Sequence, residues 1–200
     1  MRYLSLFFLL ISSLSFSQME RGDVYLGVRG GQMQLESFTG RAYGGLELDV
    51  MATDRINLHY TFQFGEKYVH TPLAPYGGVF VGLLIGNTED STGSKKIGAG
   101  ILFGLLTAII PEGIGYSFPI NDHSVIAPYV SPLQFEFLKR RDQKGGTDSY
   151  AGGGIGMKWH FLVADSKFRV TPYAEYKIHY HKDLHPGVSY GLNVAMNLSK

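Results

Sequence analysis

Residues 188–198 read VSYGLNVAMNL. Val188, Tyr190, Leu192, Val194, Met196 and Leu198 are apolar, while Ser189, Gly191, Asn193, Ala195 and Asn197 between them are small or polar. A strand sends successive side chains to opposite faces, so a period of two marks one. The run is eleven residues long. A tilted strand needs about 9–11 residues to cross a bilayer, whereas a typical strand of a soluble domain has about 5–6.

The same alternation recurs upstream. In 167–181 Phe168, Val170, Pro172, Ala174, Tyr176, Ile178 and Tyr180 alternate with Arg169, Thr171, Tyr173, Glu175, Lys177, His179 and His181. In 150–163 Ala151, Gly153, Ile155, Met157, Trp159, Phe161 and Val163 form one face. Tyr150, Gly152, Gly154, Gly156, Lys158 and His160 form the other. In 55–64 Ile56, Leu58, Tyr60, Phe62 and Phe64 oppose Arg55, Asn57, His59, Thr61 and Gln63. In 41–52 Leu46, Leu48 and Val50 oppose Tyr43, Gly45, Glu47 and Asp49. In 125–137 the apolar set is Val125, Ala127, Tyr129, Leu133, Phe135 and Phe137. Residues 23–35 begin with Val24, Leu26 and Val28 and lose the pattern at Gly30-Gly31, where a β-bulge is expected. Short connections (52–54, 121–123, 164–166) alternate with longer polar ones (139–149, 182–187). That is the habit of an up-and-down barrel with short turns at one end and long loops at the other.

Alternation alone leaves two readings open, a membrane barrel and a soluble secreted β-barrel that binds an apolar ligand. The residues favour the first. One face carries the Trp, Phe, Tyr, Ile and Leu suited to lipid and its headgroup boundary. The other mixes glycines with Arg, Lys, Glu, Asp and His. Pairing Val163 with Phe168 sets Gly156 opposite Glu175, Gly154 opposite Lys177 and Gly152 opposite His179. Glycine facing long polar side chains suits a narrow, filled lumen. On these faces Leu192→Arg is expected to be costly and Asn193→Ala cheap.

The composition agrees. Gly is 26 of 200 residues and charged residues are 18%, against about 7% and about 25% in ordinary domains. Cys is absent, which excludes disulfide frameworks and Cys-based metal sites. A net charge of +1 speaks against nucleic acid as a partner. Arg2, the apolar run 4–14 and the small-x-small Ser15-Phe16-Ser17 read as a secretory signal peptide, 1–17, leaving an outer-membrane β-barrel domain over 18–200. Removing 1–17 takes one Arg, so 17 basic and 17 acidic residues remain. Residues 79–85 (VFVGLLI) read as a strand, and 97–110 (IGAGILFGLLTAII) as a short apolar helix or a further strand. The expected fold is therefore all-β, an antiparallel up-and-down transmembrane β-barrel of 8–10 strands.

In these features the chain resembles the small outer-membrane β-barrel proteins of Gram-negative bacteria, the OmpA/OmpX-like architecture class. The resemblance is one of pattern over 23–200, without an exact motif. The final residues Asn197-Leu198-Ser199-Lys200 lack the terminal aromatic many such proteins carry. The resemblance implies a cell outer membrane location after export. It also implies contact with outer-membrane lipid and the barrel-assembly machinery, and a monomeric state. It implies a role as anchor, adhesin, porin-like pore or lipid-modifying enzyme, among which the fold does not choose.

Few residues carry a recognisable chemistry. His179 and His181 share a strand face near His185, but further metal ligands are not evident. Ser149 and His179 fall on neighbouring strands, the minimum for a rim active site of a lipid-modifying enzyme, without a nucleophile motif. The charged set Glu47, Asp49, Arg55, Lys158, Arg169, Glu175 and Lys177 reads as lumen ion pairs, with Lys158 diagonal to Glu175. No catalytic, cofactor-binding or metal residue is assigned and no cofactor is implied. The expectation is a structural or surface-interaction barrel without catalysis.

Overall fold

The computed structural model describes residues 19–35, 42–66, 68–71, 111–138, 148–181 and 184–200. The signal peptide expected at 1–17, the strand expected at 79–85 and the helix or strand expected at 97–110 lie outside the described residues. The strands are β1 (Val24–Gln34), β2 (Ala42–Met51), β3 (Ile56–Gly65), β4 (Tyr68–Thr71), β5 (Gly113–Tyr116), β6 (Phe118–Asn121), β7 (Ser124–Leu138), β8 (Asp148–Val163), β9 (Phe168–His179) and β10 (Gly187–Asn197). Every pairing is antiparallel, and β10 pairs with β1, which closes the sheet on itself.

The barrel has eight staves among the described residues. β4 and β5 both lie between β3 and β7. β4 pairs near the loop end of β3, at Gln63 to Gly65, and β5 near its turn end, at Ile56 to His59. Together they form one interrupted stave, which β6 prolongs beyond Ser117. Rungs traced from Tyr176 fix the closure. One way round they run through Ile155, Val130, Ile114, Leu58 and Val50 to Val24. The other way they run through Val188 to Gln34. The two paths meet β1 ten residues apart. A stagger of that size over eight strands requires a strand tilt of about 35–45°.

The alternation expected from the sequence is the alternation of the wall. Outward side chains are apolar and exposed, Val28 at 65% and Ile155 at 63%, while Asp49 and Arg169 are fully buried inside. A soluble barrel with an apolar lumen has the opposite arrangement, so that alternative is overturned. The hairpin register is as expected, with Val163 opposite Phe168 and Gly156, Gly154 and Gly152 opposite Glu175, Lys177 and His179. A Cβ on Gly156 would collide with the Tyr129 ring, and one on Gly154 with the Glu175 carboxylate. These glycines make room for lumen side chains.

Two local expectations fail. Gly30 and Gly31 stay in unbroken register with both neighbours, so β1 has no bulge there. Its pattern changes because outward Gln32 and Gln34 have risen past the apolar belt, where both bond with the Tyr190 hydroxyl. The irregularity sits instead in β7, between Ser131 and Gln134. It turns the strand over: Val125, Ala127 and Tyr129 face the lumen below it, and Gln134, Glu136 and Leu138 above it. The apolar set read as one face of 125–137 is therefore two half-faces.

The belt is bounded by aromatics. Tyr116 and Phe118 pack at 4.8 Å and Trp159 and Phe161 at 4.9 Å near the turn end, beside Phe168. Phe64, Tyr176 and Tyr190 stand nearer the loop end. Phe168 and Tyr176 are eight residues apart on β9. At about 3.3 Å per residue and the tilt above, this gives roughly 20 Å of belt height, close to the apolar band of about 25 Å in outer-membrane barrels.

Candidate functional site

Among the described residues the lumen is where the fold gathers reactive side chains, and it is filled in four layers. At the turn end Met19, Tyr25, Met51, Val125, Leu162 and Ala195 form a buried apolar cluster. At the loop end Met33, Leu35, Tyr43, Tyr68, Leu138, Tyr150, Tyr173 and Leu184 form another. Two ionic layers lie between these caps.

The lower layer is built on regular strands. Glu47 and Asp49 of β2 are two residues apart and so share the inward face. Lys158 of β8 reaches across to both, at 2.9 and 3.0 Å. Arg29 of β1 bonds Glu47 at 2.8 Å and Thr61 at 3.2 Å, and Arg169 of β9 bonds Asp49. Asn193 donates to Glu47 at 2.9 Å. Each guanidinium also lies over a ring, Arg29 over Tyr173 at 4.0 Å and Arg169 over Tyr25 at 4.4 Å. Burying a charge is costly unless it is paired, and here each charge meets an opposite one, although Nε and Nη2 of Arg29 and Nε and Nη1 of Arg169 have no hydrogen-bond acceptor among the described residues.

The upper layer is built around the interrupted stave. Glu112, just before β5, accepts the Thr61 backbone N–H of β3 at 2.8 Å. Its other oxygen meets His70 Nε2 of β4 at 3.0 Å and Gln134 Nε2 of β7 at 3.4 Å. One carboxylate thus ties both halves of the stave to both neighbours. His70 Nδ1 faces Glu136 at 3.2 Å, and Glu136 also meets His179 Nε2 at 2.7 Å and the Lys177 ammonium. Gln134 donates to Glu175 at 2.6 Å, and Lys177 lies 3.9 Å from Glu175.

The residues singled out in the sequence are distributed as follows. Glu47, Asp49, Lys158, Arg169, Glu175 and Lys177 are lumen ion-pair members. Arg55 is not; it sits exposed in the turn between β2 and β3. Lys158 does not pair with Glu175, because its side chain crosses the lumen to β2 instead of running along the wall. His179 is buried on Glu136, whereas His181 packs edge-on against Tyr150 at 5.6 Å and His185 is exposed. Among the described residues no three His, Asp or Glu side chains converge as a metal site. Ser149 is exposed and belongs to the outward face of β8, while His179 points inward, so the wall separates them. Four members of the upper layer, His70, Glu112, Gln134 and Glu136, are not among the residues the sequence singles out. Glu136 carries a signal, the alternation Gln134-Phe135-Glu136-Phe137, which the turnover in β7 disguises.

No protein-family model matches the chain, and no curated protein matches it by sequence. Solved structures do match it in fold. The N-terminal β-barrel domain of Pseudomonas aeruginosa OprF superposes with a TM-score of 0.56 at 10% identity, covering 90% of this chain and 100% of that one. Ail, the attachment invasion locus protein of Yersinia pestis, gives a TM-score of 0.44 at 11% identity, covering 90% and 99%. A de novo designed transmembrane β-barrel gives 0.41 at 10% identity, with the same coverage. At these identities the likeness is one of fold. The chain has the architecture of the small outer-membrane β-barrels.

Proposed function

We propose that this protein is an integral outer-membrane barrel, exported by its 1–17 segment, monomeric, with a structural or surface-interaction role and no catalysis. It would be received by the barrel-assembly machinery and surrounded by outer-membrane lipid. The observation that carries the reading is the inverted wall: exposed Val28, Leu192 and Ile155 outside, buried Arg169, Lys158 and Asp49 inside. In water that arrangement has no stability, whereas in lipid it satisfies both faces. The filled lumen supports the second half. A conducting pore needs water along its axis, and here two ionic layers, each bonded within itself and joined through Thr61, lie between apolar caps.

Cell fractionation and gel mobility test the location. The full chain should sediment with outer membranes and migrate differently boiled and unboiled; recovery in the soluble fraction without a heat shift overturns the reading. Planar-bilayer recording tests the sealed lumen. Purified protein should give no steady conductance above the bare bilayer, and regular unit steps would restore the porin-like alternative.

A further inference from the structure

Tyr180 stands just past the end of β9 with 62% of its surface exposed, yet its hydroxyl is turned to the protein backbone. It lies back over β8 and donates to the Pro132 carbonyl of β7 at 2.6 Å. The ring crosses the wall at Gly153, where a Cβ would collide with the hydroxyl. Pro132 belongs to the stretch of β7 that has lost its rungs to β8, between Ser131 and Gln134. In water a carbonyl freed by a bulge needs no side-chain cap. In hydrocarbon every backbone polar group must be satisfied within the protein.

The height of this patch is unusual. Rungs climb from β9 through β10 to β1, ten residues for a full circuit of eight staves, so about one and a quarter residues per stave. Gln34, two rungs on from Tyr176, therefore stands about two and a half residues above it, level with Ile178. Tyr180 stands higher still. On β1 the outward face at this height is Gln32 and Gln34, bonded to the Tyr190 hydroxyl. On β9 it is Ile178, 40% exposed, and Tyr180.

We propose that the apolar belt is lopsided: the outer face formed by β7, β8 and β9 at Gly153, Ile178 and Tyr180 is a lipid-contact surface. The bilayer boundary there rises to or above the level that Gln34 holds in water on β1. The barrel accordingly leans in the membrane, with its β7–β9 side sunk deeper. This rests on the membrane reading above and adds an orientation to it.

The single Trp159, in the aromatic ring at the turn end, makes the test direct. The full chain is refolded into phosphatidylcholine vesicles with or without acyl chains brominated near the headgroup. The natural protein is compared with Ile178→Trp, Tyr180→Trp and Gln34→Trp, each in a Trp159→Phe background. Brominated lipid should quench Trp159 and the tryptophans at 178 and 180 at least twofold. The tryptophan at 34 should resist lipid and yield to aqueous iodide. Iodide quenching at both 178 and 180 overturns the lopsided belt while leaving the membrane reading intact. Shielding of both from both quenchers assigns the patch to a protein contact and overturns it equally. Failure of lipid to quench Trp159 itself removes the membrane reading, and the inference falls with it.

Discussion

The two ionic layers solve one problem by different means. In the lower layer five charged side chains from four regular strands, Arg29, Glu47, Asp49, Lys158 and Arg169, bond across the lumen. Each cation meets a carboxylate, and neutral groups only supplement the pairs. In the upper layer the carboxylates outnumber the ammonium groups. Glu112, Glu136 and Glu175 share one lysine, Lys177, and are otherwise served by His70, His179, Gln134, Tyr68 and a backbone N–H. The lower layer is a set of ion pairs, and the upper is a hydrogen-bond network with many substitutes. A layer with substitutes should tolerate the loss of one member better.

The largest expected effect tests that difference. Lys158→Met removes the ammonium that bridges Glu47 and Asp49, leaving each buried carboxylate with one guanidinium, Arg29 on Glu47 and Arg169 on Asp49. Removing one partner of a buried pair costs about 3–5 kcal/mol, and that loss should appear in urea unfolding in lipid vesicles followed by Trp159 emission. Lys177→Met should cost visibly less, since Glu136 keeps His70, His179 and the Tyr68 hydroxyl at 3.1 Å. Equal losses at the two lysines would erase the distinction between the layers.

Next in size is the wall that both layers share. Leu192 is exposed on the outer face of β10, between the two aromatic rings. Leu192→Arg should cost about 2–4 kcal/mol near the bilayer midplane. The same unfolding assay reads it, and an unchanged midpoint would mean that this face does not meet hydrocarbon.

The layers also differ in how legible they are in the sequence. Glu47, Asp49, Lys158 and Arg169 sit in long strict alternations, so the pattern of residues alone shows that they point inward. It does not show their partners. Strand reasoning sets Lys158 beside Glu175 because it sees neighbours along the wall, while in a narrow barrel a long side chain reaches the far side. The upper layer is only half legible: Glu175, Lys177 and His179 stand out in the regular alternation of β9, and the other half does not, for a different reason. His70 lies in a four-residue strand, Glu112 lies in no strand, and Glu136 follows an irregularity that exchanges the faces of β7. Alternation informs only where register persists, and His70, Glu112 and Glu136 lie where it fails.

Glu112 makes that dependence measurable. Its carboxylate serves β3, β4 and β7 at once, so Glu112→Ala leaves the Thr61 N–H and His70 Nε2 without a partner and Gln134 with Glu175 alone. A buried donor left unsatisfied costs about 1–3 kcal/mol. Amide exchange should quicken first at Thr61 and along β5, before the lower layer responds. Uniform quickening over the whole barrel would show that the interrupted stave is no weaker than its neighbours.

The smallest effects compare the two layers' amides. Alternation alone makes Asn193 dispensable, but it is fully buried and donates to Glu47 at 2.9 Å. Asn193→Ala removes that bond to a carboxylate. It also removes the Asn193 Oδ1 atom, which is buried without a donor to satisfy it. Loss and relief offset in part, so the net cost should be about 1 kcal/mol. Gln134 has no such relief, because its amide donates to both Glu175 and Glu112. Gln134→Ala should therefore cost more, about 2 kcal/mol, in the same urea series. The order is the informative quantity. If Asn193→Ala proved the costlier change, the lower carboxylates would depend on neutral donors as much as the upper ones do. The contrast between an ion-paired layer and a hydrogen-bonded one would then no longer describe this lumen.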